Sequence, residues 1–424
     1  MIKLLMIADD FTGALDSGVK FAQSGASTIV ISQRAITEND LECGADVLVV
    51  DAQTRHLTAQ EAYRIVHDMT AVAAKYKEIW LYKKTDSALR GNVGSELTAM
   101  LDASGEKVMA FVPAFPQQNR ITVHSVQLAD GKPISEGVFG KDLFDPITCS
   151  YIPELIAQQS NVKTEIVLHH CYETVEYASE ECKILIFDAE CEEDLQDVAN
   201  KLKRSGGLRV MAGCAGMAFT LPELIELNGN PSPFSLQQQR LGIVCGSVNP
   251  ISQRQLETGE AAGFGRYTFT AEALLGKSFD AKRETKRAIE TLKHRDGIII
   301  DANDLQFSGE KLEYASSIGL DKEQTRMLIA ERLGSVACCL LEEIPEILLT
   351  LIGGDTLAGF MEQMQIIRFL PIRELSPGCV LSIAHTETRR FPVISKSGGL
   401  GCEDLLPKLL QFLSEERTGD RVYA

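Results

Sequence analysis

Short apolar segments alternate with amphipathic segments along the first half of the chain, and this alternation restricts the fold more than any other feature. The apolar segments have the length and composition of buried strands, and the segments between them have helical periodicity. A strand–helix–strand order indicates parallel strands with helices on both faces of the sheet. We predict strands at 4–8, 27–32, 47–51, 78–84, 108–112, 164–168, 183–188 and 209–212, and helices at 12–24, 59–76, 92–103 and 193–205.

The alternation resumes after the segment 227–240 (LNGNPSPFSLQQQR), which is rich in Asn, Gly, Pro and Ser and keeps no apolar period. Here we predict strands at 241–245, 297–301, 347–352 and 391–394, and helices at 322–333, 356–364 and 403–413. The predicted fold class is α/β: two α/β domains, 1–230 and 240–424, with mainly parallel sheets and an inter-domain cleft suited to two substrates. The polar segment 127–153 is predicted to extend over the surface.

Composition narrows the classes of partner. The formal net charge is −17, which argues against nucleic acid or an anionic membrane as the main partner. No apolar run approaches the ~18–20 residues of a membrane span, and the N-terminus does not have the pattern of a signal peptide. The 11 cysteines are scattered without a C-x-x-C pair, which is typical of reduced thiols. We therefore expect a cytoplasmic protein whose partners are small molecules, and the sequence leaves homodimer formation open.

Two adjacent acids, Asp9 and Asp10, follow the first predicted strand. Ligands of open parallel sheets bind outside the carboxyl ends of the strands. One of the two acids is expected to cap the following helix. The other is a candidate for accepting a hydrogen bond or a proton from a substrate hydroxyl.

Basic and hydroxyl residues follow three further strands. Tyr82 to Asn92 reads YKKTDSALRGN, and Arg55 and Arg120 follow the strands at 47–51 and 108–112. A charged run is commonly only a solvated loop. At a strand end, however, Arg offers a planar fork and Lys a compact charge for a carboxylate. These positions predict recognition of an acidic small molecule.

Two glycine-rich tracts, Gly353-Gly354-Asp355-Thr356 and Lys396-Ser397-Gly398-Gly399, each stand between a predicted strand and a predicted helix. Glycines allow the backbone to approach a ligand, and the N–H groups of a helix start attract anions. Asp355 or Thr356 is placed to cap the first of these helices. Two such corners in one domain favour phosphate binding, although each could serve packing alone. The chain contains no P-loop motif G-x-x-x-x-G-K-[ST].

Six ordered motifs together resemble the four-carbon acid sugar kinases, a family that includes kinases of D-threonate, D-erythronate and 3-oxo-tetronate. The motifs are IADDFTGALDSG, KKTDSALRGNVGSEL, PAFPQQNRITVHSVQLADGKPISE with a later Asp-Pro pair, GSVNPISQRQ, LIGGDTLAG and KSGGLGCEDLL. They extend from Ile7 to Leu406. The chain departs from the family pattern at Ala88, where the family usually has Thr, and at Gln118-Asn119, where it usually has Ala-Gly. Nucleotide use is therefore better supported than any particular sugar acid.

The resemblance implies an acid-sugar-binding N-terminal domain, a nucleotide-binding C-terminal domain, ATP with Mg²⁺, and phosphorylation of a terminal hydroxyl. The substrate-binding residues it implies, together with the arginines that the strand ends add, are Asp10, Arg55, Lys84, Thr85, Asp86, Ser87, Arg90 and Arg120. The implied nucleotide-binding residues are Ser247, Gly353, Gly354, Asp355, Thr356, Gly398 and Gly399. The magnesium ligands remain unassigned.

Our mechanistic hypothesis makes Asp10 the acceptor of the hydroxyl proton, with Asp9 and Asp86 as the next candidates. Three alternatives stay open. A sensor would bind a sugar acid without turnover. A phosphatase with Asp9 as nucleophile would need a second acid at position 11, where the chain has Phe11. A dehydrogenase would need a G-x-G-x-x-G after a strand, which no predicted strand provides.

Overall fold

The computed structural model describes residues 1–141, 146–175, 177, 179–204, 209–227, 229–230, 234–238, 240–292, 295, 297–302 and 309–418. Asp145 of the predicted Asp-Pro pair and parts of the segment 227–240 lie outside these residues. The chain divides into two compact units, residues 1–231 (unit 1) and 232–424 (unit 2). The predicted class of two α/β domains with mainly parallel sheets is confirmed, and the inter-domain cleft stays a prediction.

Unit 1 is built on a sheet whose strands all run parallel, in the order β2-β3-β1-β4-β11-β5-β10-β9. Its strands are β1 (Leu4–Ala8), β2 (Thr28–Ser32), β3 (Val47–Asp51), β4 (Trp80–Lys84), β5 (Val108–Val112), β6 (Arg120–Val123), β7 (Val126–Ala129), β8 (Lys132–Pro133), β9 (Lys163–Val167), β10 (Lys183–Phe187) and β11 (Val210–Gly213). Its helices are α1 (Phe11–Gln23), α2 (Glu38–Leu41), α3 (Ala59–Ala74), α4 (Val93–Ser104), α5 (Ile152–Ala157), α6 (Glu192–Arg204), α7 (Ala215–Ala218) and α8 (Leu221–Leu224). Because β1 and β3 to β5 are buried and parallel, the residues that follow them meet at one edge of the sheet.

The segment 127–153 differs from the prediction. Strands β6, β7 and β8 form a small antiparallel sheet, and short 3₁₀ turns lie at Pro116–Gln118, Phe139–Lys141 and His169–Thr174. Gln127 in β7 is fully buried, and its side-chain amide donates to the carbonyl oxygens of Ser87 and Pro113. The segment therefore holds the loops after β4 and β5, where the sequence predicted only a surface excursion.

The strands of unit 2 lie in the order β13-β14-β12-β15-β18-β17-β16, parallel from β13 to β18 and antiparallel from β18 to β16. Its strands are β12 (Arg240–Cys245), β13 (Gly265–Thr268), β14 (Gly297–Asp301), β15 (Ile347–Ile352), β16 (Arg368–Ser376), β17 (Cys379–His385) and β18 (Arg390–Lys396). Its helices are α9 (Pro250–Ala261), α10 (Ala271–Leu275), α11 (Ala281–Leu292), α12 (Gly309–Ser317), α13 (Lys322–Glu343), α14 (Gly354–Met364) and α15 (Leu405–Thr418). Among the residues described here, no helix combines the length and apolar composition needed to cross a membrane.

Helix α13 corrects a predicted boundary. The sequence predicts an end of this helix at about position 333, directly before Gly334, and Gly commonly follows the last turn of a helix. The helix instead continues to Glu343. A Cβ at Gly334 would lie 2.3 Å from the carbonyl carbon of Gly359 in α14. This glycine therefore allows two helices to pack backbone to backbone and does not end one.

Candidate functional site

In unit 1, one guanidinium group joins the two acids that follow β1. Arg55 Nε donates to Asp9 Oδ2 at 2.7 Å, and its two terminal nitrogens lie 3.0 Å from Asp10 Oδ2 and 2.9 Å from Asp10 Oδ1. The loop carrying Arg55 is itself fixed to β1, since the N–H groups of Thr54 and Arg55 both donate to the carbonyl oxygen of Asp9. Asp9 is buried, with 2% of its surface exposed, whereas the Asp10 side chain is 24% exposed. Of the two acids, Asp10 is the one that a ligand can reach.

Asp10 also caps α1, as predicted for one acid of the pair. Its Oδ1 accepts from the N–H of Gly13 at 3.1 Å, and its Oδ2 accepts from Thr12 Oγ1 at 2.7 Å. Burial alone would raise the pKa of Asp10, but the positive charges of Arg55 and Lys84 and the Thr12 hydrogen bond outweigh it, so that the pKa lies below its usual range. Asp10 is therefore ionised at neutral pH.

The loop after β4 contributes a second acid–base pair. Arg90 Nε and one terminal nitrogen donate to the two oxygens of Asp86 at 2.9 and 3.0 Å, in fork-to-fork geometry. Burial would raise the pKa of Asp86, yet the charges of Arg90 and Arg55 lower it far more. Leu89 between them is buried with φ = 61°, a strained backbone for a branched side chain. The loop is thus held in one shape by the ion pair and by Gln127, which binds Ser87.

Lys84 lies beside Asp10 at the same edge. Its Nζ donates to the carbonyl oxygen of Thr85 at 2.7 Å, and only 4% of the residue is exposed. A Cβ at Gly13 would lie 2.5 Å from Asp10 Oδ1 and 2.8 Å from Lys84 Nζ. A side chain at position 13 would therefore displace the carboxylate or the ammonium group. This contact explains Gly13, to which the sequence interpretation gave no role.

Arg120 differs from the other arginines of this edge. Within the described chain it makes no ion pair with a carboxylate, and its Nε is buried without a hydrogen-bond partner. A terminal nitrogen donates to the carbonyl oxygen of Gln118, and the guanidinium lies 5.1 Å from the ring centre of Phe139. Burial lowers the pKa of Arg120, although the group remains charged at any physiological pH. Arg120 is therefore a cation held in place and still able to bind an anion.

A buried ion pair that the sequence interpretation missed lies under this cluster. Lys83 Nζ is 3.2 Å from Glu96 Oε2, and the two side chains are 0% and 2% exposed. Lys83 also donates to the carbonyl oxygens of Ile7 and Lys84, which fixes β1 against β4. Burial raises the pKa of Glu96. The alternation of β4 could have signalled Lys83, because adjacent strand residues point to opposite faces of the sheet.

In unit 2, the residues after three neighbouring parallel strands meet at one edge. The register pairs Cys245 at the end of β12 with Ile352 of β15, and Ile352 with Lys396 of β18. Ser247, Gly353 and Gly398 follow these strands by one or two residues. The backbone N–H of Gly353 donates to the carbonyl oxygen of Lys396 at 3.0 Å. The structure therefore brings the predicted nucleotide-binding tracts together.

Close contacts at Gly246 and Gly398, and the backbone conformation of Gly353, favour glycine at this edge. Gly353 has φ = 108° and precedes the first residue of α14, Gly354. A Cβ at Gly398 would lie 2.4 Å from Ser247 Oγ, and one at Gly246 would lie 2.5 Å from Thr356 Oγ1. A hydroxyl and bare backbone thus line a narrow polar edge at the N-terminus of α14. This arrangement suits a phosphate group.

The predicted cap of α14 is wrong. Neither Asp355 nor Thr356 caps the helix; the N-cap residue is Gly353, which has no side chain, because the helix begins two residues earlier than predicted. Asp355 instead receives a hydrogen bond from Arg326 at 2.6 Å, and its side chain is 55% exposed. Neither Asp355 nor Thr356 therefore supplies a side-chain acceptor for the N–H groups of the first turn of α14.

The positions of α9 and its N-cap were also missed. Asn249 Oδ1 accepts from the N–H of Ile251 at 3.0 Å, and Pro250 is the first helical residue. Ser252 on the first turn lies 3.0 Å from Ser247 Oγ and 2.7 Å from the carbonyl oxygen of Gly398. The Asn-Pro pair after β12 is the sequence signal that could have located this helix.

Comparisons with known proteins agree with this two-part arrangement. Residues 4–221 match a family model described as a sugar-binding N-terminal domain, and residues 243–406 match one described as a nucleotide-binding C-terminal domain. The chain is 29% identical to a D-threonate kinase of Salmonella typhimurium over 99% of this chain and 100% of the relative. It is 27% identical to a D-erythronate kinase of Heliobacterium modesticaldum, with 97% of each chain covered.

Solved structures share the fold. A Haemophilus influenzae protein superposes with a TM-score of 0.71 at 18% identity, covering 96% of this chain and 99% of that protein. A Salmonella typhimurium LT2 protein gives a TM-score of 0.78 at 19% identity, with 96% and 99% covered. At these identities the likeness concerns the fold alone.

Proposed function

Because the chain belongs to the four-carbon acid sugar kinase family, we propose that it transfers the γ-phosphate of ATP to the terminal hydroxyl of a four-carbon sugar acid such as threonate or erythronate. One observation carries the proposal. Each of the two matched regions has polar residues at the ends of its strands, and their chemistry suits the ligand named in the description of the matching family model. Unit 1 offers acids and cations for a hydroxylated acid, and unit 2 offers a glycine-lined anion site. Such an enzyme would work in the cytoplasm, where ATP is abundant.

On the substrate side, we propose that Lys84 and Arg120 bind the sugar carboxylate. Arg55 and Arg90 belong to the predicted substrate-binding set, but both already pair with carboxylates of the protein. Their charges are thus largely compensated, and their main task is to hold Asp10 and Asp86 in place. Lys84 and Arg120 make no such pair among the residues described. Thr85 and Ser87 would contact the substrate hydroxyls.

On the nucleotide side, the residues of unit 2 fit ATP. Gly353 and Gly398 present bare backbone, and Ser247 and Thr356 bring hydroxyl groups to the same edge. The backbone of Gly354 and Gly399 extends this edge. Magnesium would neutralise part of the phosphate charge, and it commonly takes most of its ligands from phosphates and water. Asp355 is a carboxylate within the first tract. We assign no residue as a magnesium ligand.

In the proposed mechanism, positioning and charge stabilisation do most of the catalysis, because phosphoryl transfer needs little covalent help. The Asp10 carboxylate accepts a hydrogen bond from the terminal hydroxyl of the sugar acid and thereby orients the hydroxyl oxygen towards the γ-phosphate. A carboxylate whose pKa lies below the usual range is a weak base, so it takes the proton only as the new O–P bond forms. Asp9 is 2% exposed and the Asp86 side chain is 10% exposed, against 24% for the Asp10 side chain, which makes them poorer candidates for this role.

Calorimetric titration tests the proposal against a sensor that binds without turnover. The protein is titrated separately with ATP in magnesium-containing buffer and with D-threonate. A kinase binds both ligands. A sensor binds the sugar acid alone, and a protein that binds neither ATP nor any four-carbon acid contradicts the proposal.

A further inference from the structure

Lys396 is the last residue of β18, and only 1% of its surface is exposed. Its Nζ donates to the carbonyl oxygen of Gly398 at 3.0 Å and to Ser252 Oγ at 3.3 Å. Both partners are neutral. Throughout the described part of the chain, this ammonium group forms no ion pair with a carboxylate. Among those residues, no carboxylate compensates this buried positive charge.

A charge in this situation is costly to the folded protein. Burial disfavours the charged form of a lysine far more than it disfavours a neutral polar group, unless an opposite charge accompanies it. The same burial lowers the pKa of Lys396 to about 8, so the group is still mainly protonated at neutral pH. Cys245 and Cys379 lie near it, and burial raises the pKa of the Cys245 thiol to about 12, so that thiol does not supply the missing charge.

Lys396 also stands where the three tracts of unit 2 meet. Its carbonyl oxygen accepts from Gly353, and its Nζ contacts the carbonyl of Gly398. Through Ser252 it is linked to Ser247, since Ser252 Oγ lies 3.0 Å from Ser247 Oγ. The ammonium group is therefore adjacent to the backbone that the proposed function assigns to phosphate.

We propose that Lys396 binds a phosphate oxygen at the β or γ position of the nucleotide and is the positive charge by which unit 2 prefers a triphosphate to a monophosphate. This inference rests on the proposed function, which supplies the nucleotide, and adds to it the source of charge recognition. The glycine tracts offer N–H groups, which carry only partial charge. A lysine ammonium offers a full charge and up to three donors.

Two substitutions separate the charge of Lys396 from its contact with Gly398. Lys396→Met removes both while keeping an unbranched side chain, and Lys396→Gln removes the charge but keeps an N–H donor. Lys408→Met, on the exposed face of α15, is the matched control, since among the described residues Lys408 pairs only with Asp404, the residue directly before this helix. The dissociation constants for ATP and for AMP are measured by calorimetry in one magnesium-containing buffer, and Tm is measured by scanning calorimetry.

Both Lys396 variants should bind ATP about 10- to 100-fold more weakly, the usual effect of losing a hydrogen bond to a charged group. AMP affinity should change by less than about threefold, because AMP has no β or γ phosphate for the lysine to contact. The Tm of Lys396→Met should equal or exceed that of the wild type, because an uncompensated buried charge has been removed. Lys408→Met should match the wild type for both nucleotides.

Unchanged ATP affinity in either folded variant would overturn the inference. So would equal weakening of ATP and AMP in Lys396→Gln, which would show that the lysine only shapes the Gly398 loop. If Lys396→Met does not fold, Lys396→Gln decides alone; a loss of folding in both variants assigns the lysine to structure and rejects the inference. A wild type that binds no ATP contradicts the proposed function itself and is recognised before any variant is compared.

Discussion

At the scale of single residues, charge pairing separates the side chains that build the edge of unit 1 from those that can bind a ligand. Arg55 contacts three acids, Asp9, Asp10 and Asp86, and Arg90 pairs with both oxygens of Asp86. Arg120 has only neutral contacts in the described residues. The sequence places all three arginines after strands and cannot distinguish them, because the pairing depends on loop shape.

Arg120→Ala tests this distinction. Losing a charged hydrogen-bond partner of the substrate should raise KM for a sugar acid about 10- to 100-fold, with little change in Tm. Arg90→Ala is the matched comparison. This substitution leaves the Asp86 carboxylate buried without the guanidinium group that binds both of its oxygens, so Tm should fall clearly. Activity should then be lost in proportion to the loss of folded protein. The assignment fails if Arg120→Ala keeps the wild-type KM.

Asp10→Asn tests the reacting side chain. Asn caps a helix nearly as well as Asp, so the start of α1 should survive. An amide cannot accept the hydroxyl proton, and kcat should fall by about 100-fold or more. Thr12→Val is the control, because it removes one hydrogen bond to Asp10 and leaves the carboxylate. If Asp10→Asn keeps near-wild-type kcat, the proton acceptor must be Asp9 or Asp86, or none is needed.

The burial of Asp51, the last residue of β3, leads to a prediction about how the stability of the protein depends on pH. Burial raises its pKa to about 6, despite hydrogen bonds from Ser32 Oγ and the N–H of Gln53. The folded state thus holds this proton more tightly than the unfolded state, whose pKa is near 3.9. The contribution of Asp51 to stability is greatest below pH 4 and is lost as the pH rises to about 6.

Asp51→Asn mimics the protonated acid and should stabilise the protein at pH 7 by up to about 3 kcal/mol. The gain should shrink towards zero at pH 4. Urea unfolding of both proteins at the two pH values measures it. A variant that is less stable than wild type at pH 7 contradicts the pKa direction and makes the ionised carboxylate a stabilising group.

At the scale of elements, glycine geometry at the end of β15 is the main determinant of the proposed phosphate site. Gly353 has φ = 108°, and a Cβ there would lie 3.4 Å from the N–H nitrogen of Ser247 and from Thr356 Oγ1. Gly319, after α12, also has positive φ but has nothing within 4 Å of an added Cβ. Both glycines therefore have a positive φ, but only Gly353 has other atoms within 4 Å of an added Cβ.

Gly353→Ala should cost about 1 kcal/mol of stability through backbone strain and should weaken ATP binding by about tenfold or more. Gly319→Ala should lose a similar amount of stability and keep the wild-type ATP affinity. Calorimetric titration together with thermal unfolding separates the two effects. Equal ATP affinity in the two variants would show that the turn after β15 does not contact the nucleotide.

Most of the elements could be predicted because the parallel strands are buried on both faces and appear as continuous apolar runs. The predicted strands at 4–8, 47–51, 108–112, 297–301 and 347–352 coincide with the observed bounds, and the others differ by at most two residues. The hairpin β16–β17 was missed. Arg368–Ser376 mixes charged and apolar residues with two register irregularities, which hides the two-residue period of a strand.

The candidate site was predictable in position but not in connectivity. Sequence patterns placed Asp10, Arg55, Arg90 and Gly353 at strand ends. They gave no sign that Arg90 pairs with Asp86, or that no carboxylate of the described residues pairs with Lys396. The first pairing joins residues only four apart but depends on the shape of their loop. The surroundings of Lys396 depend on residues distant in sequence, which a single sequence does not reveal.

At the scale of the whole molecule, each unit is proposed to bind one ligand. Substitutions in unit 1 should then leave nucleotide binding intact, and the reverse should hold for unit 2. Arg120→Ala should keep the wild-type dissociation constant for ATP, and Gly353→Ala should keep that for the sugar acid, each measured by calorimetry with the other ligand absent. If either variant weakens the binding of both ligands by the same factor, the assignment of one ligand to each unit is wrong.

The most direct test of the central claim is ADP release by the purified protein with ATP, magnesium and a panel of four- to six-carbon sugar acids, with the product examined by phosphorus NMR. We predict ADP release that depends on a four-carbon acid, and a phosphate coupled to the protons of the terminal carbon. ADP release that no acid stimulates, or a phosphate placed on the carboxyl group, would contradict the proposed kinase activity.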